Sequence, residues 1–172
     1  MPNSNSRKSS SVKHPRESWV EMTEIVLPQY TNALGTVFGG TVMAWVDIAA
    51  ATCALRHCQI QVVTASIDAI HFLAPIKLGC IVTIKASVNH TFRSSCEVGV
   101  KVTAENPLTC EKHHTASAYV TMVAIGKDGK AVAIPQIEPE TAEEKRRSDA
   151  ALERRDLRLQ LREKQRKKQK SS

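Results

Sequence analysis

The stretch from Gly39 to Leu55 carries a single ionisable carboxylate, Asp47, among small and apolar residues. Its alanine-rich body has high helix propensity, and the glycines at its start supply loop and turn geometry. The sequence therefore predicts a helix of about 18 residues without a polar face, which the rest of the chain must bury nearly all round. A membrane span needs roughly 20 apolar residues and disfavours a central aspartate, so a core helix is predicted instead.

Charge is distributed unevenly along the 172 residues of the chain. The formal net charge is +7, but residues 1–18 carry +3, residues 19–139 carry −1 and residues 140–172 carry +5. This distribution argues against nucleic-acid binding by the folded part. We expect a disordered basic segment at 1–18, one domain at 19–139, and a charged, partly helical tail at 140–172. This tail should be solvated or frayed, since its few apolar residues cannot form a core helix.

The five cysteines are odd in number and form no Cys-x-x-Cys pair. This pattern favours reduced thiols in a cytoplasmic protein over a disulfide framework or a zinc site, so no metal is expected. The first residues lack the apolar core of a signal peptide, and we expect no export.

Period-2 alternation of apolar and polar residues follows the predicted helix. It is cleanest at 82–89 and recurs at 98–104 and 114–125, while 18–27 and 61–73 are also strand-like. One helix followed by four strands with short connections favours an α+β domain. We expect a curved antiparallel sheet of about five strands around the helix.

Three motifs carry a family resemblance. They are Asn32-Ala33-x-Gly35-x-x-Phe38-Gly39-Gly40 followed by Asp47, His71-Phe72-x-x-Pro75 followed by Gly79, and Arg93-Ser94-Ser95. Together, over residues 20–126, they resemble the hotdog-fold acyl-CoA thioesterases, of the small bacterial type related to mammalian cytosolic acyl-CoA hydrolases. The resemblance implies one long helix wrapped by the sheet, a sheet continued across a dimer, active sites at the dimer interface, and further assembly into a tetramer or hexamer.

The resemblance also implies hydrolysis of acyl-CoA to free CoA and a carboxylic acid, with CoA as part of the substrate and no cofactor required. Backbone N–H groups of Gly39 and Gly40 at the helix start would polarise the thioester carbonyl. Asp47 would act as general base on water or as nucleophile. Eight helical residues span about 12 Å, so Gly39 and Asp47 of one chain are too far apart to act on one carbonyl. The two groups are therefore expected to come from different chains.

The candidate site residues each have a structural alternative. Asp47 is either the catalytic carboxylate or a buried group held by hydrogen bonds, and no helical neighbour could pair with it, which favours catalysis. Asn32 would position water or thioester, or stabilise its own turn. Arg93, Ser94 and Ser95 resemble the family's turn near the CoA phosphates, or form a solvated hairpin turn.

Three other functions are weighed against the same sequence features. A non-enzymatic acyl-CoA-binding hotdog regulator would need a DNA-binding module, for which 18 N-terminal residues are too short. A hotdog hydratase or dehydratase would need a catalytic histidine in or near the central helix, whereas His57 lies at the helix end. The basic tail could bind RNA, acidic lipid or a partner, although charge runs are usually solvated.

Overall fold

The computed structural model describes residues 12–170, and the expectation for residues 1–11 lies outside them. Its main elements are strand β1 (Val20–Ile25), helix α1 (Gly39–Cys58), strands β2 (Val62–Phe72), β3 (Ile81–Thr91), β4 (Ser95–Glu105) and β5 (Lys112–Ala124), and helix α2 (Ala142–Lys170). The predicted α+β class is confirmed, and each segment with strand-like patterning forms a strand. The segment boundaries at residues 18 and 139 stay a prediction.

The five strands form one antiparallel sheet in the order β1-β3-β4-β5-β2. Strands β3, β4 and β5 pair as successive neighbours, β1 pairs with β3, and β2 pairs with β5. The order places β2, with its 11 residues, at one edge of the sheet. Because β2 also contacts α1, this edge lies beside the helix.

Helix α1 packs on one face of the sheet and contacts all five strands. Side chains alternate across each strand, so every second residue faces α1. The buried side chains on this face are aliphatic, among them Ile84, Ala86 and Val88 of β3, Val98, Val100 and Val102 of β4, and Ala118 and Val120 of β5. Small residues of α1, such as Ala49 and Ala50, are fully buried against them. This interface is the hydrophobic core.

One side of α1 remains exposed, so the prediction of burial all round is wrong for the single chain. Met43 is 44% exposed, Ile48 52% and Leu55 46%. At 100° per residue these positions share one arc of the helix surface with Asp47. The sheet covers the rest of the helix. The prediction was wrong because an apolar sequence pattern is the same whether a residue is buried within one chain or between two chains.

Residues 13–18 are ordered, although disorder is predicted for 1–18. Lys13 forms a parallel bridge with Ile137, and its Nζ donates to the His57 carbonyl at 2.7 Å. Pro15–Glu17 form a 3-10 turn, and Ser18 is fully buried. The prediction of disorder from composition is wrong for these residues because a few specific contacts hold the polar segment in place.

Helix α2 packs with its N-terminal half on the sheet face opposite α1, so the prediction of a solvated tail is wrong for this half. The Arg154 guanidinium donates to both carboxylate oxygens of Glu97, at 2.7 and 3.1 Å, and lies 3.6 Å from the Tyr119 ring centroid. Glu97 is fully buried and also accepts from Asn89 Nδ2 at 3.0 Å. The docking therefore depends on polar contacts, with Ala151 as a fully buried apolar residue.

Candidate active site

Asp47 lies in the middle of α1 and is half-buried on the exposed arc of the helix. Thr64, near the start of β2, donates a hydrogen bond from Oγ1 to Asp47 Oδ1 at 2.6 Å. The second carboxylate oxygen has no hydrogen-bond partner within residues 12–170. Thr64 therefore orients the carboxylate and leaves one oxygen available for a proton or a substrate atom.

Thr64 is a candidate site residue that the sequence pattern does not reveal. It stands 17 positions after Asp47 in a strand-like segment with several small polar residues, where nothing in the pattern distinguishes it. The signal for it is that β2 follows α1 directly, because a strand that returns along the helix brings an early β2 residue beside the middle of the helix.

The start of α1 presents two unpaired backbone donors. Its N-cap residue, Phe38, has extended backbone angles, φ −61° and ψ 135°, and no side-chain cap. Thr41 and Val42 both donate their N–H groups to the Phe38 carbonyl, at 3.0 and 3.2 Å. The N–H groups of Gly39 and Gly40 have no acceptor in the described part of the chain. They stand at the positive end of the helix dipole, which suits a developing oxyanion.

A cavity of about 360 Å³ lies beside these donors. Its walls include Gly39, Val42, Phe72, Leu73 and Ile76. A Cβ atom on Gly39 would lie 3.5 Å from the Phe72 ring, an ordinary contact distance, so the helix start stands directly beside this wall of the cavity. The cavity thus combines apolar walls with hydrogen-bond donors, as an acyl group with a carbonyl at its end requires.

Asn32 lies in the loop before α1 and uses its side-chain oxygen within that loop. Asn32 Oδ1 accepts from the Leu34 N–H at 2.9 Å, the Thr36 N–H at 3.3 Å and the Thr36 hydroxyl at 3.2 Å. These contacts support the role in stabilising the turn. The Nδ2 amide has no partner among residues 12–170 and remains available to a ligand.

Arg93, Ser94 and Ser95 form the turn between β3 and β4 and the first residue of β4. The Arg93 side chain is exposed, and Ser95 pairs with Val123 of β5, which in turn pairs with Val63 of β2. Two strand spacings, about 10 Å, therefore separate the turn from the strand that carries Thr64. The structure brings the turn to the same end of the sheet as Thr64, without contact with Asp47.

Within one chain, the free N–H groups at the start of α1 lie far from the Asp47 carboxylate. Gly39 and Asp47 lie on one continuous helix, where eight residues correspond to about 12 Å. The side chain of Asp47 and the free N–H groups therefore do not converge on a common point in the single chain.

His57, near the end of α1, is fully buried, and its Nε2 lies 3.0 Å from the Pro135 carbonyl oxygen. Burial lowers the pKa of His57 below its usual value. Among the described residues, no group of three or more His, Cys, Asp or Glu side chains could hold a metal ion. Neither helix within 12–170 combines the length and apolarity that a membrane crossing needs.

Comparison with known proteins agrees with this geometry. Residues 34–111 match the thioesterase superfamily. The chain is 40% identical over 139 residues to the uncharacterized acyl-CoA thioester hydrolase YkhA of Bacillus subtilis, covering 81% of each chain. The chain belongs to the thioesterase superfamily.

Solved structures extend the similarity to the whole fold. A Staphylococcus aureus acyl-CoA hydrolase in complex with butyryl coenzyme A, coenzyme A and coenzyme A disulfide superposes with a TM-score of 0.86 at 36% identity, over 93% of this chain and 98% of that one. An apo-hexameric acyl-CoA thioesterase gives a TM-score of 0.85 at 40% identity, over 88% and 97%. The chain therefore has the predicted hotdog fold, with α1 packed against one antiparallel sheet.

Proposed function

We propose that the protein hydrolyses acyl-CoA thioesters to free CoA and a carboxylic acid. Its family, and its similarity to an acyl-CoA hydrolase in complex with butyryl coenzyme A, support this substrate class. The observation that carries the proposal is the Asp47 carboxylate, held at 2.6 Å by Thr64 on the exposed arc of an otherwise apolar helix. A stabilising role alone would not require a half-buried charge at that position.

The N–H groups of Gly39 and Gly40 hold the thioester carbonyl oxygen in the proposed mechanism. Negative charge grows on that oxygen as the carbonyl carbon is attacked, and preorganised donors at a helix start stabilise it without reorganisation. The apolar cavity beside Gly39 receives the first part of the acyl chain. Arg93, Ser94 and Ser95 hold phosphate oxygens of the CoA moiety.

Asp47 supplies the attacking group in one of two ways. As general base it takes a proton from water, the resulting hydroxide adds to the carbonyl carbon, and the proton passes to the departing CoA thiolate. As nucleophile its carboxylate displaces the thiolate and forms an anhydride, which water then hydrolyses. In both routes the Thr64 hydroxyl orients the carboxylate. Asn32, through its Nδ2 amide, positions the water or the thioester.

A second copy of the chain completes the site. The long edge strand β2 and the exposed arc of α1 adjoin one another, and Val63, Phe72 and Leu73 on β2 and just beyond it are each at least half exposed. An uncovered apolar edge is a site for pairing with another strand. We place a partner's β2 along this edge, which continues the sheet across a dimer and brings the partner's helix start to Asp47.

Further features complete the proposal. Dimers assemble into a tetramer or hexamer, in line with the hexameric neighbour. The reaction as written uses water and side chains, so no cofactor enters apart from the CoA of the substrate. The five free cysteines agree with a cytoplasmic location.

The alternative of a hydratase or dehydratase is less well supported by the site. Its catalytic histidine would be His57, but the ring is fully buried and its Nε2 is engaged by Pro135. A substrate cannot reach this ring without rearrangement of the chain around it.

An assay of thiol release with a panel of acyl-CoA esters tests the proposal. Asp47→Asn keeps the shape of the side chain and should lower kcat/KM by about 10²- to 10⁴-fold, because the carboxylate no longer accepts a proton or attacks. Asp156→Asn, on the exposed surface of α2, is the matched control and should have no effect. Full activity of Asp47→Asn, or release of thiol from none of the esters, would overturn the proposal.

A further inference from the structure

A second cavity, of about 340 Å³, lies between the N-terminal half of α2 and the sheet face opposite α1. Its floor includes Lys85 of β3 and Lys101 of β4, and its roof includes Arg146, Arg147 and Arg154 of α2. We propose that this cavity binds a small anion with two or more linked phosphate groups.

The floor of the cavity holds an unfavourable charge pair. Lys85 and Lys101 are direct cross-strand partners, and like charges in this arrangement destabilise a sheet. Lys85 has a partner in Glu21, at 3.3 Å on the exposed rim. Lys101 has no ion-pair or hydrogen-bond partner for its ammonium group among residues 12–170. A bound anion would remove this repulsion.

The roof also carries more positive than negative charge. Arg146 and Arg147 both donate to the single carboxylate of Glu143, at 2.7 to 3.0 Å. Arg154 is committed to Glu97, which is buried beneath it. Five cations of the lining thus share three carboxylates, Glu21, Glu97 and Glu143, which leaves an excess of two positive charges.

The chemistry of the donors selects phosphate. Guanidinium groups bind phosphate oxygens through paired N–H donors, and an ammonium group adds a strong point charge. Ser87 and Ser117 also line the cavity, and the Ser117 hydroxyl lies 2.8 Å from His114 Nε2. A diphosphate carries at least two negative charges and presents oxygens on two linked groups, which suits cationic donors that lie on both the floor and the roof.

This site differs from the proposed catalytic site in position. Lys85, Ser87 and Lys101 alternate along their strands with residues that face α1, so they point away from Asp47. Binding here therefore does not depend on whether the protein hydrolyses thioesters.

Titration calorimetry of the full chain with inorganic pyrophosphate tests the proposal. The titration uses the Arg93→Gln background, which removes the guanidinium that we assign to CoA phosphates. We expect saturable binding with one site per chain. Lys101→Gln should weaken it about tenfold, because a charged hydrogen bond contributes about 1.5 kcal/mol or more. Lys127→Gln, in the exposed turn after β5, is the matched control and should leave the affinity unchanged.

A second measurement separates ligand binding from a role in folding. Pyrophosphate should raise the thermal unfolding temperature of the parent chain and of Lys127→Gln, but much less that of Lys101→Gln. No binding to the parent, or equal weakening by both lysine variants, would overturn the proposal. Absence of binding together with a changed oligomeric state of Lys101→Gln would assign the cavity to a second copy instead, and would also overturn it.

Parallel titrations with ADP and with CoA identify the source of the diphosphate. Equal affinities for pyrophosphate and ADP would show that the phosphates alone are recognised. Tighter binding of ADP would indicate that the adenine base also contacts an aromatic residue of the cavity, Trp19 or Tyr119. Competition by CoA in the Arg93→Gln background would name the coenzyme as a ligand of this second site.

Discussion

The two faces of the sheet are covered by helices of opposite character. Helix α1 packs through fully buried small and aliphatic residues such as Val46, Ala49 and Ala50. Helix α2 packs through an arginine–glutamate pair and through guanidinium groups stacked on the rings of Tyr119 and Phe92. One face therefore depends on shape and the hydrophobic effect, and the other on a few directional contacts.

Because of this difference, we expect the two helix–sheet interfaces to respond differently to single substitutions. Apolar burial is non-directional and spread over many residues, so single changes reduce it gradually. A buried ion pair concentrates its effect, since loss of one partner leaves an uncompensated charge. The uncapped helix start and Asp47 both lie on the α1 side, so the candidate catalytic groups belong to the face that packs through apolar residues.

Of the changes that compare the two faces, Gly39→Pro should produce the largest effect, and this effect should fall on catalysis alone. Proline is favoured at the first position of a helix, and Phe38 already has the extended conformation that precedes proline. The variant loses a backbone N–H that has no partner in the described chain. We expect kcat to fall about 10²- to 10³-fold, as for loss of one oxyanion donor.

Gly39→Ala is the control for this prediction, because it adds a Cβ at ordinary contact distance from Phe72 and keeps the N–H. It should retain most of the activity in the thiol-release assay. Equal activity of the proline and alanine variants would show that the Gly39 N–H does not stabilise the oxyanion.

Arg154→Met should produce the largest loss of stability on the α2 side. The methionine leaves the Glu97 carboxylate buried with Asn89 as its remaining side-chain partner. Breaking such a pair costs about 3 kcal/mol, measured as the free energy of unfolding in urea. The double variant with Glu97→Gln should recover part of this loss. A double variant no more stable than Arg154→Met would contradict the account of α2 docking.

The pH dependence of stability should be the smallest effect and should differ between the two faces. Burial lowers the pKa of His57 at the end of α1 and of His90 beneath α2. The unfolded chain therefore takes up protons first as pH falls. The contribution of the two neutral histidines to the free energy of unfolding is fully present above about pH 6.5, the unfolded pKa. It decreases as pH falls from there through the lowered folded pKa values.

Urea unfolding at pH 7.5 and 5.5 measures this decline. His57→Gln should flatten the profile more than His90→Gln, because His57 is fully buried whereas His90 is partly exposed. Stability that rose on acidification would contradict the assignment.

The sequence predicts the α1 side well because its information is local. Alternation places the strands, and apolar content places α1, within a few residues. The motif that contains Asn32, Gly39, Gly40 and Asp47 marks the helix and the loop before it. The roles of these residues stay predictions.

The remaining features depend on contacts between distant parts of the chain. Glu97 and Arg154 are separated by 57 positions, and no period in the sequence links them. Thr64 becomes a candidate site residue because β2 lies along α1, and in our proposal a second copy covers the exposed arc of α1. The polar docking of α2 and the contact of Thr64 with Asp47 are therefore the parts that the sequence pattern could not supply.

Mixed oligomers test the central claim, that each active site takes Asp47 from one chain and Gly39 from another. Chains with Asp47→Asn and chains with Gly39→Pro are co-expressed with different tags, and the pairs that contain both are purified. Each variant alone should be nearly inactive. In a two-fold pair, one of the two sites regains both groups, so the mixed dimer should show about half the wild-type activity. A mixed dimer no more active than either parent would contradict the shared site.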